Sequence, residues 1–518
     1  MKLKKLVILR LLPIALGLSF IGAAQAANSC AAWSGASVYT QGNYSLAAGK
    51  TWRAKWWTQN EQPGANQWGP WEERPASECG VVTPPDGGGT GGDGSGIPEP
   101  TPTVGKHLGS YFAQWGIYGR NYKLRNLVDT GGDRKLTFLN YAFGNVYADG
   151  KCNIVTKAEA GNGDGGDGWA DYQRGFAANE SVDSVADAWD SKLKGNFNQL
   201  KKLKLRNPNL KVMISLGGWT WSKNMSTAAA SDASRKALVT SCINLYVKGN
   251  LPLVDGTGGA GTAKGIFDGI DIDWEYPGGG GLPTNTSNAN DKQNYTLLMA
   301  EFRAQLDALA VTNKRHYYLT AAIGSGVDKI RNTDPALYSK HLDWINVMSY
   351  DFHGGWETTG KTNFQSNLYR DPAGPATGDA IKYNIDDAVA TLLAGGMAKS
   401  KIIVGIPFYG RGWKGVSPGP KADGLYQLAT GAAAGTYESG IEDFKVLNLK
   451  RGNRYTHPVT KQLWSYDGNE FWSYDDPSVI ATKAAFVKDK GLGGLFSWSL
   501  DGDDAKGTLL NATSVVRQ

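Results

Sequence analysis

The run Asp268-Gly269-Ile270-Asp271-Ile272-Asp273-Trp274-Glu275 places Asp271, Asp273 and Glu275 at alternate positions, behind the apolar approach of Ile266 and Phe267. In an extended strand, side chains two apart share a face. Three carboxyl groups then crowd one surface, while Ile270, Ile272 and Trp274 turn to the other. Like charges held that close cannot all ionise at neutral pH, so at least one pKa must rise. A carboxyl kept protonated near neutrality can act as a general acid. Clustered Asp and Glu also suit a hard cation, but calcium loops draw their ligands from flexible, glycine-broken turns rather than a β-alternating run. The pattern therefore points to acid–base catalysis, and neither a metal nor a cofactor is expected.

Three more motifs accompany this run in the order Ser215-Leu216-Gly217-Gly218, then Met348-Ser349-Tyr350-Asp351, then Gly493-Gly494-Leu495-Phe496-Ser497-Trp498-Ser499. With the acidic run between the first two, they resemble the S-x-G-G, D-x-x-D-x-D-x-E, M-x-Y-D and tryptophan-bearing elements of glycoside hydrolase family 18, the chitinases and their relatives. The resemblance covers about Val104 to the C-terminus.

Glycosidic cleavage needs an acid for the leaving oxygen and a nucleophile or base on the opposite face of the sugar. Asp273 and Glu275 lie about 6–7 Å apart at the backbone by strand rise and on one side, so the run supplies no opposing nucleophile. The resemblance implies that the substrate supplies it. A 2-acetamido oxygen attacks the anomeric carbon, giving an oxazolinium intermediate and net retention. On the same basis Glu275 is the proton donor and then the base. Asp273 holds the acetamido N–H, and Asp271 shares a proton with Asp273 and keeps the Glu275 pKa raised. Tyr350 positions the acetamido group, with Asp351 following it in the groove. Tyr111 and Ser215 hydrogen-bond the inner aspartate, and Trp498 forms the floor under the distorted sugar. Trp219, Trp356, Tyr409 and Arg411 are the expected subsite residues.

The expected activity is that of a secreted chitinase acting on β-1,4-linked N-acetylglucosamine, in chitin and chitooligosaccharides. The alternatives are an endo-β-N-acetylglucosaminidase acting on N-glycans and a chitin-binding lectin without catalysis. An intact acid at Glu275 argues against the lectin.

Short apolar runs alternate with longer amphipathic stretches beyond residue 104, the sign of βα repeats. Candidate strands begin near Leu108, Leu136, Val212, Ile270, Tyr318, Trp344, Ile402 and Leu492. That periodicity supports an α/β class. The TIM (β/α)8 barrel follows from the resemblance, with the motifs at the C-terminal ends of strands three, four, six and eight. The connections from Tyr147 to Asn207 and from Pro407 to Gly491 exceed what a βα link needs. Tyr437, Phe444, Tyr455, Trp464, Tyr466, Phe471 and Trp472 in the second predict a small α+β insertion, about 413–475, between strands seven and eight.

The ends and the composition add context. Lys2, Lys4, Lys5 and Arg10 precede an apolar stretch ending in Ala24-Gln25-Ala26, which reads as a signal peptide over residues 1–26. Lys plus Arg number 54 against 48 Asp plus Glu, a net +6 too mild for a nucleic-acid partner. No later run is apolar enough for a membrane, and a monomer is expected. The 18 tryptophans exceed what cores use and suit sugar stacking.

Residues 27–79 read as a small all-β module in which Ala54-Lys55-Trp56-Trp57-Thr58-Gln59 resembles the A-K-W-W-T-Q motif of family 5/12 carbohydrate-binding modules. Trp56, Trp57 and Trp71 are its candidate chitin-binding residues, with Trp57 and Trp71 favoured as the exposed platform and one of Trp56 and Trp57 expected inside. Residues 80–103, rich in Gly and then Pro, read as a linker that buries no core. Disulfides Cys30–Cys79 and Cys152–Cys242 are predicted because each pair stays within one domain of an exported chain.

Overall fold

The computed structural model describes residues 31–35, 37–66, 68–75, 94–157, 160–450 and 452–518. The expected signal peptide, the Cys30–Cys79 bridge and the glycine-rich half of the linker lie outside the described residues. The chain divides into two compact units, 1–87 and 88–518.

Eight parallel strands close the barrel of the larger unit: β1 His107–Ala113, β2 Phe138–Val146, β3 Lys211–Gly217, β4 Gly269–Asp273, β5 Tyr318–Gly324, β6 Trp344–Met348, β7 Ile402–Pro407 and β8 Gly494–Trp498. Each pairs with its neighbour in sequence, and β8 pairs back onto β1. Strands buried on both faces read as nearly unbroken apolar runs, as in Lys-Val-Met-Ile-Ser-Leu-Gly of β3, where every residue is buried. Alternation then sorts them. Val212, Ile214 and Leu216 pack outward in the layer shared with the helices. Met213 points into the barrel with Phe138, Trp344 and Phe496. Ile270, Ile272 and Trp274 face the helix layer, as the strand period predicts.

Gly217 and Gly218 show why the third strand must end in glycine. Both have positive φ, 109° and 73°. A Cβ on Gly217 would lie 2.3 Å from the Asp273 carbonyl oxygen, and one on Gly218 would enter the Phe143 ring. Only glycine permits that approach.

The insertion between β7 and β8 is an antiparallel sheet whose first strand is Tyr409–Lys414. It therefore starts ahead of residue 413, and Tyr409 and Arg411 belong to it. Trp413, Trp464 and Phe471 pack together in it, joined by Phe364 from the connection after β6. The predicted Cys152–Cys242 disulfide is present, with Cα atoms 4.9 Å apart. A further long connection, 349–384, joins β6 to the helix Ile385–Ala394. The sequence pattern had not singled it out.

The proline-rich half of the expected linker differs from the expectation that it buries nothing. Ile97 is fully buried and joins the barrel's outer core. Glu99 accepts the His316 N–H at 2.7 Å, Thr101 Oγ1 meets Asn209 at 2.9 Å, and Lys211 donates to the Thr101 carbonyl and Thr103 hydroxyl. All these partners precede or begin strands β3 and β5, so the strap crosses the N-terminal face of the barrel. Ile97 is its one residue in the apolar core, a signal that overall composition dilutes.

In the smaller unit, Ala31–Ala32, Tyr44–Ala47, Lys50–Ala54 and Trp71–Arg74 form a four-stranded sheet, and Val38–Tyr39 pairs with Thr58–Gln59. No helix among the described residues is long and apolar enough to cross a membrane.

Candidate active site

A cleft of about 770 Å³ opens at the C-terminal ends of the barrel strands, the end where this fold places its chemistry. Strand register builds its acidic centre. Asp271 stands directly across from Ser215 on β3 and Thr320 on β5. Its Oδ2 accepts the Tyr111 hydroxyl at 2.8 Å and Ser215 Oγ at 2.7 Å. Its Oδ1 accepts Thr320 Oγ1 at 2.5 Å and Asn346 Nδ2 at 3.2 Å. Burial pushes the Asp271 pKa up, and these four donated bonds pull it back.

Asp273 ends the strand and lines the cleft. Its Oδ1 is buried without a hydrogen-bond partner. Burial, then the charges of Glu275 and Asp271, hold its carboxyl well above the usual carboxylate range. Glu275 lies two residues beyond, in the loop that follows β4. Its N–H donates to Ser222 Oγ at 2.8 Å, and its carbonyl accepts Asn285 Nδ2 at 3.0 Å. Burial pushes the Glu275 carboxyl up to about 7, opposed by a hydrogen bond from Tyr276 and reinforced by the charge of Asp351.

Two expectations need correcting here. No hydrogen bond joins Asp271 to Asp273, because four donors already occupy both Asp271 oxygens. Burial and Asp351, rather than Asp271, raise the Glu275 pKa.

The remaining expected residues gather around this centre. Tyr350 is buried against Tyr409 and Phe496. Trp498 stacks on Phe143, with centroids 5.5 Å apart and planes at 18°, and approaches Tyr111 at 5.3 Å. Asp351 adopts a left-handed φ of 57° and accepts the Tyr409 hydroxyl and Arg411 Nε, each at 2.7 Å. Arg411 in turn lies 5.0 Å over the Trp356 ring. Trp219 and Trp356 line the cleft about half exposed. Ser215 and Asp271 stay behind the cleft wall, Ser215 touching the site only through Asp271.

Sequence reading missed Thr320, Asn346, Ser222 and Asn285. For Thr320 and Asn346 a signal existed: a polar residue inside an otherwise apolar, fully buried strand must have a partner there. The loop residues Ser222 and Asn285 carried no such signal.

In the smaller unit, Trp71 is 4% exposed. It packs edge-on against Tyr39 at 4.9 Å and donates to the Glu61 carbonyl at 2.7 Å, so it is core rather than platform. Trp56 and Trp57 are both exposed, against the expectation of one inside. They lie in a bend between strands, where alternation does not operate. Trp68, not singled out from sequence, is 80% exposed.

The closed barrel and its carboxyl-lined mouth agree with the family model Glycosyl hydrolases family 18, which matches residues 107–503, and the chain belongs to that family. It is 39% identical to Chitinase C of Streptomyces lividans over 84% of this chain and 62% of the relative. It is 34% identical to Chitinase 1 of Aphanocladium album over 78% of this chain and 83% of the relative. The catalytic domain of psychrophilic chitinase B from Arthrobacter TAD20 superposes with a TM-score of 0.75 at 45% identity, covering 80% of this chain and 95% of that one. The chain spans about three fifths of the length of the Streptomyces relatives.

Proposed function

We propose that the protein is a chitinase that hydrolyses β-1,4 bonds between N-acetylglucosamine units with retention, the substrate's own acetamido group serving as nucleophile. One observation carries the reading. Asp273 lines the cleft beside Glu275, and its Oδ1 is buried there without a hydrogen-bond partner. A buried polar atom without a partner is costly, and an acetamido N–H is the donor that would relieve it. With the N–H held there, the acetamido oxygen is aimed at the anomeric carbon.

Glu275, protonated up to about pH 7, then gives its proton to the bridging oxygen and takes one from the incoming water. Asp273 keeps the acetamido group in place beside the forming oxazolinium. Asp271 stays behind it, locked by its four donors, and fixes the strand position from which Asp273 projects. Tyr350 closes one side of the acetamido pocket, and Trp498 supplies the apolar floor. Trp219 and Trp356 offer stacking faces along the groove. Trp56, Trp57 and Trp68 offer a separate surface for insoluble chitin, with the benefit of local concentration. Secretion follows from the leader-like N-terminal sequence and from the location of the polymer.

Mass spectrometry of products from chitohexaose, with the anomer ratio followed by NMR, tests the reading. Early β-anomers from acetylated substrate support it. Early α-anomers, equal turnover of deacetylated oligomers, or release of N-glycans in place of chitin cleavage would overturn it.

A further inference from the structure

Buried carboxylates in this chain are mostly held by cations or by backbone N–H groups. Asp268 meets Lys204 and Arg315, Asp475 meets Lys483, and Asp133 meets Arg206. Asp291 and Asp503 accept backbone N–H groups. Asp171 has neither arrangement, and among the described residues no Lys or Arg pairs with it. It sits 3% exposed in the turn Trp169–Gln173, and its Oδ1 accepts the Tyr141 hydroxyl at 2.6 Å and Gln114 Nε2 at 2.7 Å. Asn196 buttresses the pair, donating to the Tyr141 hydroxyl at 3.0 Å and to the Gln114 carbonyl at 3.4 Å. Of these groups, Gln114 lines the cleft. It follows the last residue of β1, next to Trp115, which lies 6.0 Å from Phe143 and 6.2 Å from Trp498.

We propose that Asp171 is a positioning residue that acts through Gln114, locking its amide so that Oε1 faces the cleft as a hydrogen-bond acceptor for the sugar bound beside Trp115. Asp171 Oδ1 already accepts the Tyr141 hydroxyl, and although burial pushes this carboxyl up to about 7, its proton then belongs on Oδ2, so the Gln114 amide must turn its NH₂ toward Oδ1. Rotation by half a turn would set two acceptors against each other in a dry site. With Nε2 committed, the open end of Gln114 takes a hydroxyl or acetamido N–H from the saccharide. Gln114 is thereby a specificity-determining residue at the aromatic end of the groove, selecting a donor-bearing sugar substituent. This rests on the functional reading above.

Steady-state kinetics of the full chain on chitohexaose test the proposal with Gln114→Ala, Gln114→Met, Asp171→Asn and the Gln114→Ala/Asp171→Asn double variant. Loss of one such hydrogen bond raises KM about fivefold, with the loss falling on KM rather than kcat. Asp171→Asn frees the amide to turn and raises KM similarly. Because it works through Gln114, it adds nothing once Gln114 is Ala. Gln114 variants with KM within twofold of wild type, or single effects that multiply in the double variant, overturn the proposal. Should Asp171→Asn not fold, Gln114→Met, which keeps the shape and removes the amide, decides it alone. A wild-type chain that leaves chitohexaose intact defeats the functional reading and this inference together. A cleaving wild type with silent Gln114 variants defeats only this inference.

Discussion

Strand β4 has carboxylates at both ends, and their surroundings are opposite. Asp268, just before the strand, accepts from Lys204, from Arg315 at 2.6 Å and from the Val212 N–H at 2.8 Å. About 16 Å away by strand rise, Asp273 presents an unpartnered oxygen and Glu275 a pKa near 7. Both ends are buried, so burial alone does not distinguish them. Compensation does. At the N-terminal face the Asp268 carboxylate is held by two buried cations and a backbone N–H, and the group contributes to the scaffold. At the mouth the mismatch is left standing for a ligand to complete. On the function proposed above, the same octapeptide contains a structural and a chemical carboxylate, in keeping with the division of labour between the two faces of this fold.

The sharpest way to break the comparison is at the mouth. Glu275→Gln should lower kcat by about 10³-fold or more while the melting temperature holds or rises, since the substitution removes a raised, poorly solvated carboxyl. Wild-type kcat should fall as pH rises through about 7, because the acid must carry its proton. That limb should be absent from the residual activity of Glu275→Gln. Turnover near wild type in the variant would remove Glu275 from the mechanism.

The opposite end should give the opposite result. Asp268→Asn leaves Lys204 and Arg315 buried without their counter-charge and should cost about 3–5 kcal/mol of stability in denaturant unfolding. The folded fraction should retain its kcat. A stable Asp268→Asn with lost turnover would erase the distinction between the two ends. A smaller effect is expected of the strap on the same face. Ile97→Ala should cost about 2–4 kcal/mol without altering KM for soluble oligomers. Truncation to residue 93 should spare the barrel's melting temperature, whereas truncation to residue 103 should lower it. Equal melting temperatures for the two truncations would show that the strap contributes nothing.

Much of the mouth was legible before any coordinates. A period of two, read against carboxylates on one side and Ile270, Ile272 and Trp274 on the other, is a local property of the backbone and survives in the folded strand. The glycines at 217 and 218 were legible as a motif, but their cause was not. They yield space to Asp273 and Phe143, which the chain brings there from elsewhere. Trp71 and Trp56 were misjudged for a related reason, since exposure of an aromatic depends on whether its segment is strand or bend and on what covers it. The strap was hidden because one anchoring residue scarcely changes a composition.

Sequence by itself determined the alternation of the acidic run, the order of the motifs and the apolar strands that had to become a barrel, since those depend on residue type and on periods of a few positions. Only the tertiary structure decided which carboxylates are compensated. The cations of Asp268 come from 64 and 47 residues away, and the donors that saturate Asp271 come from four other strands. Electrostatic compensation acts over a few ångströms through space, and chain separation says nothing about it until the barrel has closed.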